Sequence, residues 1–241
     1  MKNKVLIIVA ILLLLPNAMA WAHQPADGNL KHFTKKDATT AMDAFHSTFY
    51  NPDMKLYAIS SDMKGRAAIW VQAIYWDMIM NAYKRTKAPK YRRLIEEVYQ
   101  GGYEQYDKYN WDNKIEWFIY DDMMWWIISL ARAYEITDDP KYLAHASSGF
   151  YHVWKESYDK ERGGLWWNFK HDGKMACINY PTTVGAMTLY NVTRLSGKGK
   201  KCICMVEGCF FRQGERPHSR QYALSFPETE RYGHRLDNPT L

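Results

Sequence analysis

The sequence predicts an all-α protein built from repeated helical hairpins, an α/α toroid or solenoid. Apolar residues recur at steps of three and four over long windows, and no segment alternates as strands do. A buried helix followed by an amphipathic helix, repeated along the chain, is typical of these folds. The buried helices are predicted at 67–84, 122–135 and 182–192, and the amphipathic ones at 89–106 and 140–158.

The connections between the predicted helices repeat as well. Residues 82–91 and 133–142 both read Ala-Tyr-x-x-Thr-x-x-Pro-Lys-Tyr, 51 residues apart. This is a helix end, a short loop, and a proline in the first turn of the next helix, where its missing N–H is harmless. A third copy begins with Tyr190 and Thr193 in register. The pattern therefore predicts at least three hairpins of one kind.

The third copy stops at Arg194, where the apolar periodicity is lost and Lys, Gly and Cys become frequent. A change of reading frame near residue 194 explains this shift, and a divergent C-terminal loop region is the alternative. We expect residues 23–194 to form the N-terminal part of an incomplete toroid and 195–241 an aberrant or disordered basic tail. The disulfide state of the three cysteines in this tail stays open; they are Cys202, Cys204 and Cys209.

The first 22 residues have the layout of a secretory signal peptide. Lys2 and Lys4 precede an apolar run over residues 5–15, and the small residues Ala18 and Ala20 follow it. The apolar run is shorter than the roughly 20 residues that span a bilayer. We expect a mature protein that is secreted or periplasmic and is not held in a membrane.

The positive charge lies at the two ends of the chain. Of the formal net charge of +6, two charges are Lys2 and Lys4, and nine Lys or Arg against five Asp or Glu follow from residue 194 onward. The stretch between is neutral and rich in aromatic residues, which excludes a phosphate-binding surface. We therefore expect no nucleic-acid partner. The sequence lacks the ligand spacings of a metal site and a glycine-rich phosphate loop, so we expect no metal and no cofactor. We also expect a monomer.

The central chemical feature is Asp121 next to Asp122 inside the apolar and aromatic segment 117–126. One interpretation is structural: Asp121 is a helix N-cap, and Asp122 favours the positive start of the helix. The other is catalytic, because like charges in a desolvated place push their pKa values apart and give one ionised carboxylate and one proton donor. Adjacent side chains at a helix start can lie ~5 Å apart, which suits a retaining glycosidase.

Tryptophans supply the second feature. Trp125 and Trp126 follow the carboxylates, and Trp166 and Trp167 follow a Gly-Gly pair that predicts a loop at a rim. Indole rings stack on the apolar faces of sugars. Neighbours on a helix point about 100° apart, so we expect one tryptophan of each pair to belong to the core.

These segments resemble glycoside hydrolase family 76, the endo-α-1,6-mannanases, over roughly residues 34–193. The matching pieces are Ile-Trp-Val-Gln at 69–72, Tyr-Asp-Asp-Met-Met-Trp-Trp at 120–126, Ala-Arg-Ala-Tyr-Glu at 131–135 and Gly-Gly-Leu-Trp-Trp at 163–167. The resemblance implies an (α/α)6 barrel, here incomplete, and a retaining mechanism with Asp121 as nucleophile and Asp122 as general acid/base. Contacts to a polysaccharide or oligosaccharide are expected from the polar and aromatic residues of these pieces, namely Trp70, Gln72, Tyr120, Trp125, Trp126, Trp166 and Trp167.

The sequence thus predicts a glycoside hydrolase that cleaves α-1,6-linked mannan with retention. Two alternatives stay open. The first is a truncated, non-catalytic glycan-binding protein or pseudogene product. The second is another α/α-toroid carbohydrate enzyme, such as an unsaturated uronyl hydrolase or a sugar epimerase. An epimerase would need buried histidines as acid and base, which the predicted inner helices lack.

Overall fold

The computed structural model describes residues 32–195, and this part of the chain is a layer of inner helices backed by outer helices. A 3-10 turn lies at Asp107–Tyr109, and a small antiparallel sheet pairs β1 (Tyr50–Asn51) with β2 (Leu56–Tyr57). The all-α prediction is confirmed, although this sheet and the first helix were not expected from the apolar pattern. The helices are α1 (Lys35–Phe49), α2 (Ile69–Thr86), α3 (Pro89–Gln105), α4 (Tyr120–Thr137), α5 (Pro140–Ser157) and α6 (Ala176–Leu195).

Helices α2, α4 and α6 pack side by side as the inner layer, and α3 and α5 cover α2 and α4 from outside. The predicted bounds hold within a few residues except for α6. Its start was expected at Thr182, after Pro181, but the helix begins at Ala176 and Pro181 lies inside it. The first turn is held because the Asn179 side chain donates to the carbonyls of Met175 (2.8 Å) and Leu165 (3.3 Å).

The repeated connection has the same geometry in both complete copies. Lys87 and Asp138 end their helices in the left-handed region, at φ 56°, ψ 17° and φ 55°, ψ 18°. The hydroxyls of Thr86 and Thr137 each accept from the amide two residues on, both at 3.2 Å. A proline then occupies the first turn of the next helix. The predicted repeat is confirmed as one local structure used twice.

The Lys-Tyr pair of each repeat connects successive outer helices. The Tyr91 hydroxyl of α3 donates to Asp43 of α1 (2.7 Å), and the Tyr142 hydroxyl of α5 donates to Glu96 of α3 (2.6 Å). The lysine that precedes each tyrosine makes an ion pair with the same carboxylate, at 2.6 Å in both cases. Charge-assisted hydrogen bonds of this kind are the stronger ones, so each hairpin is fixed to the one before it.

The third copy keeps the register as far as the structure describes it. The Thr193 hydroxyl donates to the carbonyl of Leu189 (2.7 Å), as Thr86 and Thr137 donate to the carbonyls four residues before them. The predicted signal peptide, the predicted tail and its three cysteines lie outside the described residues. Between residues 32 and 195, no helix has the length and apolarity needed to cross a membrane.

Removing the hydroxyl of Tyr142 should weaken the fold. Tyr142→Phe leaves the ring in the core but removes a hydrogen bond to a carboxylate, so we expect the free energy of unfolding to fall by about 1–2 kcal/mol. Tyr91→Phe should behave alike because the repeat uses the same contact. Urea unfolding followed by circular dichroism measures both. Tyr151→Phe, at an exposed tyrosine of α5, is the control, and an equal loss there would contradict the assignment.

Candidate active site

The start of α4 places two carboxylates in its first turn. The N-cap residue is Ile119, in extended conformation (φ −114°, ψ 122°), and its side chain makes no cap. Asp121 and Asp122 follow as the second and third helical residues. The alternative that Asp121 is the N-cap is therefore wrong. Neither carboxylate is needed to form the cap, although both still lie at the positive end of the helix dipole.

The loop between α5 and α6 fixes this helix start. The amide of Tyr120 donates to the carbonyl of Trp167 (2.9 Å), and Ile119 forms an isolated β-bridge with Asn168. Two glycines make the turn of this loop, Gly163 at φ 71° and Gly164 at φ 75°, where a side chain would be strained. The loop predicted from the Gly-Gly pair is confirmed, and it brings Trp167 to the first turn of α4.

Asp121 is half-buried between α4, this loop and the start of α6. Burial raises the pKa of Asp121, while the Cys177 thiol, the Trp167 indole and the amides of the first turn of α4 act in the opposite direction. Its Oδ1 is buried without a hydrogen-bond partner among the described residues. Asp121 thus has donors that favour its ionised form and one buried oxygen that makes no hydrogen bond among the described residues.

Asp122 has a different environment from its neighbour. Burial and the negative charge of Asp121 raise the pKa of Asp122 to about 7, and no donor is found that would lower it among the groups of the described chain. Its charge also acts on the buried Tyr106, whose pKa is raised mainly by burial. Donors oppose the effect of burial at Asp121 and none does so at Asp122, so Asp122 is the better place for a proton held by the pair.

Cys177 and Asn179 belong to this site, and neither was predicted from the sequence. The thiol of Cys177 contacts Asp121. Asn179 accepts from the amide of Leu165 (2.9 Å) and so holds the tryptophan loop against α6. The register of the repeat does point to Cys177. Cys177 lies 56 residues after Asp121, which is also the distance from Tyr134 to Tyr190 in the repeated connection. Trp70 lies 51 residues before Asp121, which is the offset between the two complete copies. These three residues occupy the same position on successive inner helices.

Three of the predicted sugar contacts are wrong because their side chains belong to the core. Gln72 is fully buried, accepts from the amide of Tyr57 (2.9 Å) and donates to its carbonyl (2.6 Å), which attaches β2 to α2. Trp126 is also fully buried, and its indole donates to the carbonyl of Ile69 (2.8 Å). Tyr120 is 3% exposed. As expected, one member of the Trp125–Trp126 pair is core, since Trp125 is only half-buried.

The remaining aromatic candidates differ in how far their rings are exposed to solvent. Trp70 is 45% exposed at the start of α2. Trp166 and Trp167 are both half-buried, so the expectation that one of them belongs to the core is wrong for this pair, which lies in a loop and not on a helix. His171 stacks on Trp166 with ring centroids 5.2 Å apart and planes at 7°, and the ammonium of Lys174 lies 4.6 Å from the same ring centre. Because protein groups already lie against Trp166, Trp167 is the better surface of this pair for a sugar.

No three His, Cys, Asp or Glu side chains within residues 32–195 form a group that could hold a metal ion. The groups of the described site that can carry chemistry are Asp121 and Asp122, with the aromatic rings around them.

A toroid of helical hairpins with a carboxylate pair and tryptophans at the start of an inner helix is an arrangement suited to glycoside hydrolysis. The family model of glycosyl hydrolase family 76 matches residues 34–200, more than half of the chain, and the chain belongs to this family. No curated protein matches the sequence.

Solved structures with the same fold are about 20% identical to this chain over the aligned residues. The GH76A alpha-1,6-mannanase from Salegentibacter sp. HEL1_6 is 21% identical with a TM-score of 0.60, over 72% of this chain and 51% of that one. An inactive variant of that enzyme, with two consecutive aspartates replaced by alanine and in complex with alpha-1,6-mannotetrose, is 20% identical with a TM-score of 0.58, over the same shares. A D-mannose isomerase is 19% identical with a TM-score of 0.56, over 74% of this chain and 53% of that one. The chain thus spans about half the length of these structures, and the likeness shows the fold.

The raised pKa of Asp122 predicts a pH-dependent effect of its replacement. The folded-state pKa of about 7 lies above the ordinary value of 3.8, so ionising Asp122 destabilises the folded state increasingly from about pH 4 to 7 and by a constant amount above. Asp122→Asn should therefore raise the free energy of unfolding at pH 8 by roughly 1–3 kcal/mol, allowing for screening at this half-buried position, and change it little at pH 4.

Urea unfolding at both pH values tests this expectation. Asp53→Asn, the same chemical change at an exposed turn, is the matched control and should show no such difference. A loss of stability in Asp122→Asn at pH 8, or an equal change at both pH values, would contradict the desolvation argument.

Proposed function

We propose that this chain acts on α-1,6-linked mannan as a retaining glycoside hydrolase that uses Asp121 and Asp122. The observation that carries the proposal is the difference between the two carboxylates. Donors surround Asp121, while burial and its neighbour raise the pKa of Asp122 to about 7. A retaining glycosidase needs one carboxylate that is ionised and one that is protonated at the same pH.

In the first step Asp121 attacks the anomeric carbon, and a bond forms between its carboxylate oxygen and that carbon. The bond to the leaving sugar breaks as Asp122 gives its proton to the departing oxygen. In the second step the ionised Asp122 takes a proton from water. The water oxygen attacks the anomeric carbon and releases Asp121 as a free carboxylate. Two inversions give net retention, and both residues return to their starting states.

The assignment of roles follows from the surroundings of each residue. The Cys177 thiol, the Trp167 indole and the first-turn amides favour the ionised form of Asp121, as a nucleophile requires. Asp122 has only burial and repulsion acting on it, which favour the protonated form that a general acid requires. Trp70, Trp125 and Trp167 are the rings best placed to contact sugar residues.

The comparisons support the choice of substrate. The Salegentibacter protein is described as an alpha-1,6-mannanase, and its inactive variants replace two consecutive aspartates and bind alpha-1,6-mannotetrose or alpha-1,6-mannotriose. Consecutive aspartates of that kind occur here as Asp121 and Asp122. The alternative to this proposal is glycan binding without hydrolysis.

Replacing each aspartate should separate the two steps. Asp121→Asn should abolish hydrolysis because no covalent intermediate can form. Asp122→Asn should lower kcat on mannan by about 10²- to 10⁴-fold, and a mannoside with an activated leaving group should partly restore the first step because that group needs no proton. The measurement is NMR of the products of linear α-1,6-mannan, which also reports the anomeric configuration.

Asp53→Asn is again the matched control and should keep full activity. Inversion at the anomeric carbon would rule out the covalent mechanism, and full activity in either active-site variant would show that the pair is structural. Binding of mannotetraose by the unsubstituted chain without any product would favour the glycan-binding function instead.

Export of the protein is part of the proposal, because a mannan-degrading enzyme meets its polymer outside the cytoplasm. The charged, apolar and small-residue segments over residues 1–22 support it. We expect cleavage between Ala20 and His23, which Edman sequencing or mass spectrometry of the mature protein would detect. A mature protein that still begins at Met1 would contradict export through this signal.

A further inference from the structure

Tyr106 follows the last residue of α3, and its side chain is fully buried. Its hydroxyl oxygen makes no hydrogen bond among the described residues. Burying a hydroxyl without a partner is costly, so such groups are uncommon in folded proteins. The two steps of the proposed hydrolysis assign this hydroxyl no part. Its surroundings indicate what it can bind.

The packing around Tyr106 fixes the orientation of its ring. The backbone amide of Tyr106 donates to the carbonyl of Gly102 (3.0 Å). The ring lies against the indoles of Trp117 and Trp126, with ring centroids 5.5 Å apart in both cases. The guanidinium of Arg66 lies 4.5 Å from the centre of the same ring. Close packing on several sides holds the ring in one place, so the hydroxyl cannot turn away to a distant partner.

The same packing brings Tyr106 to the face of α4 that carries Asp122. Trp126, which the tyrosine ring contacts, lies four residues after Asp122. Side chains four residues apart on a helix are neighbours on one face. The negative charge of Asp122 also acts on Tyr106, and such an interaction weakens with distance. Within the described chain, one residue thus has a hydroxyl without an acceptor, and the other has a carboxyl group without a donor.

The other charged groups around the two residues do not oppose this pairing. Arg66 and Glu116 act on Tyr106 with opposite signs and form an ion pair with each other at 3.9 Å. Asp121 acts on Asp122, and its negative charge makes a donor to the ionised form of Asp122 more valuable. Burial holds the pKa of Tyr106 well above its ordinary value, so its hydroxyl keeps its proton while Asp122 titrates.

We infer that Tyr106 is a positioning residue for the general acid/base, and that its hydroxyl donates a hydrogen bond to Asp122 when Asp122 is ionised. The catalytic role rests on the proposed function, whereas the hydrogen bond does not. In the proposed hydrolysis Asp122 loses its proton in the first step and stays negative until it takes a proton from water. A donor that is already in place stabilises the carboxylate during this interval and holds it towards the water. Tyr106 itself transfers no proton.

Carbon-13 NMR of the full chain, labelled at the aspartate carboxyl carbons, follows the ionisation of Asp122, whose signal is the one lost in Asp122→Asn. Tyr106→Phe should raise the pKa of Asp122 by about one unit, because a hydrogen bond to the ionised form is lost. Tyr134→Phe is the matched control and should leave that pKa unchanged. The Tyr134 hydroxyl is also buried without a partner among the described residues, but it lies twelve residues further along α4.

The pH profile of mannan hydrolysis gives a second measurement. Hydrolysis falls at alkaline pH as Asp122 loses the proton that it must donate. In Tyr106→Phe the alkaline limb of kcat/KM should therefore move up by about one pH unit, and in Tyr134→Phe it should stay in place. A chain that hydrolyses no mannan but shows the shift in the NMR titration would refute the catalytic role and leave the hydrogen bond established.

An unchanged pKa of Asp122 in Tyr106→Phe would overturn the inference, and so would an equal shift in Tyr134→Phe. If Tyr106→Phe does not fold, proton NMR of the unsubstituted chain decides. The hydroxyl proton of Tyr106 should then move downfield as Asp122 ionises, because hydrogen bonds to charged acceptors are shorter and stronger. The same proton should show no such change in Asp122→Asn. A hydroxyl signal that stays constant through the titration of the unsubstituted chain would exclude the bond.

Discussion

The burial of helix α4 is the constraint on which the site depends. Its neighbours α2 and α6 cover two sides and α5 covers the outside, so most residues of the helix are buried. Two carboxylates in its first turn are therefore desolvated by the same packing that stabilises the helix. The cost of ionising them separates their proton affinities, because one has donors nearby and the other has none. The packing that stabilises α4 therefore also contributes to the difference in pKa between Asp121 and Asp122.

Parts of the chain that are far apart in sequence hold these carboxylates in place. The loop after α5 bonds to the start of α4 through Tyr120 and Trp167. That loop is in turn held by Asn179 on α6. The functional groups thus lie on helices and on a loop braced at both ends, which favours a site formed before a sugar arrives. An isolated α4 would lack the desolvation and the donors that Cys177 and Trp167 supply.

Much of the fold and of the candidate site was predictable because it depends on local sequence signals. The connections at residues 86–89 and 137–140 were predictable from the repeated threonine and proline, whereas the left-handed conformation of Lys87 and Asp138 was not. The Asp pair was found because charges are rare inside an apolar helix. The direction of neighbouring side chains cannot be read from the sequence, so the sequence predicts Gln72 and Trp126 as sugar contacts although both are buried. Cys177 has no local signal and is found only when the repeat register is applied across α4 and α6.

The left-handed residues Lys87 and Asp138 end their helices in the same way, so each hairpin has the same kind of connection. Each connection makes its own hydrogen bonds within about ten residues, so a hairpin can be duplicated or exchanged without redesign of its ends. In a closed toroid of such hairpins, the gain or loss of one unit would change the circumference of the ring and hence the width of its central opening. The size of a ligand that such a protein admits could then evolve by recombination, separately from the point mutations that adjust its reactive groups.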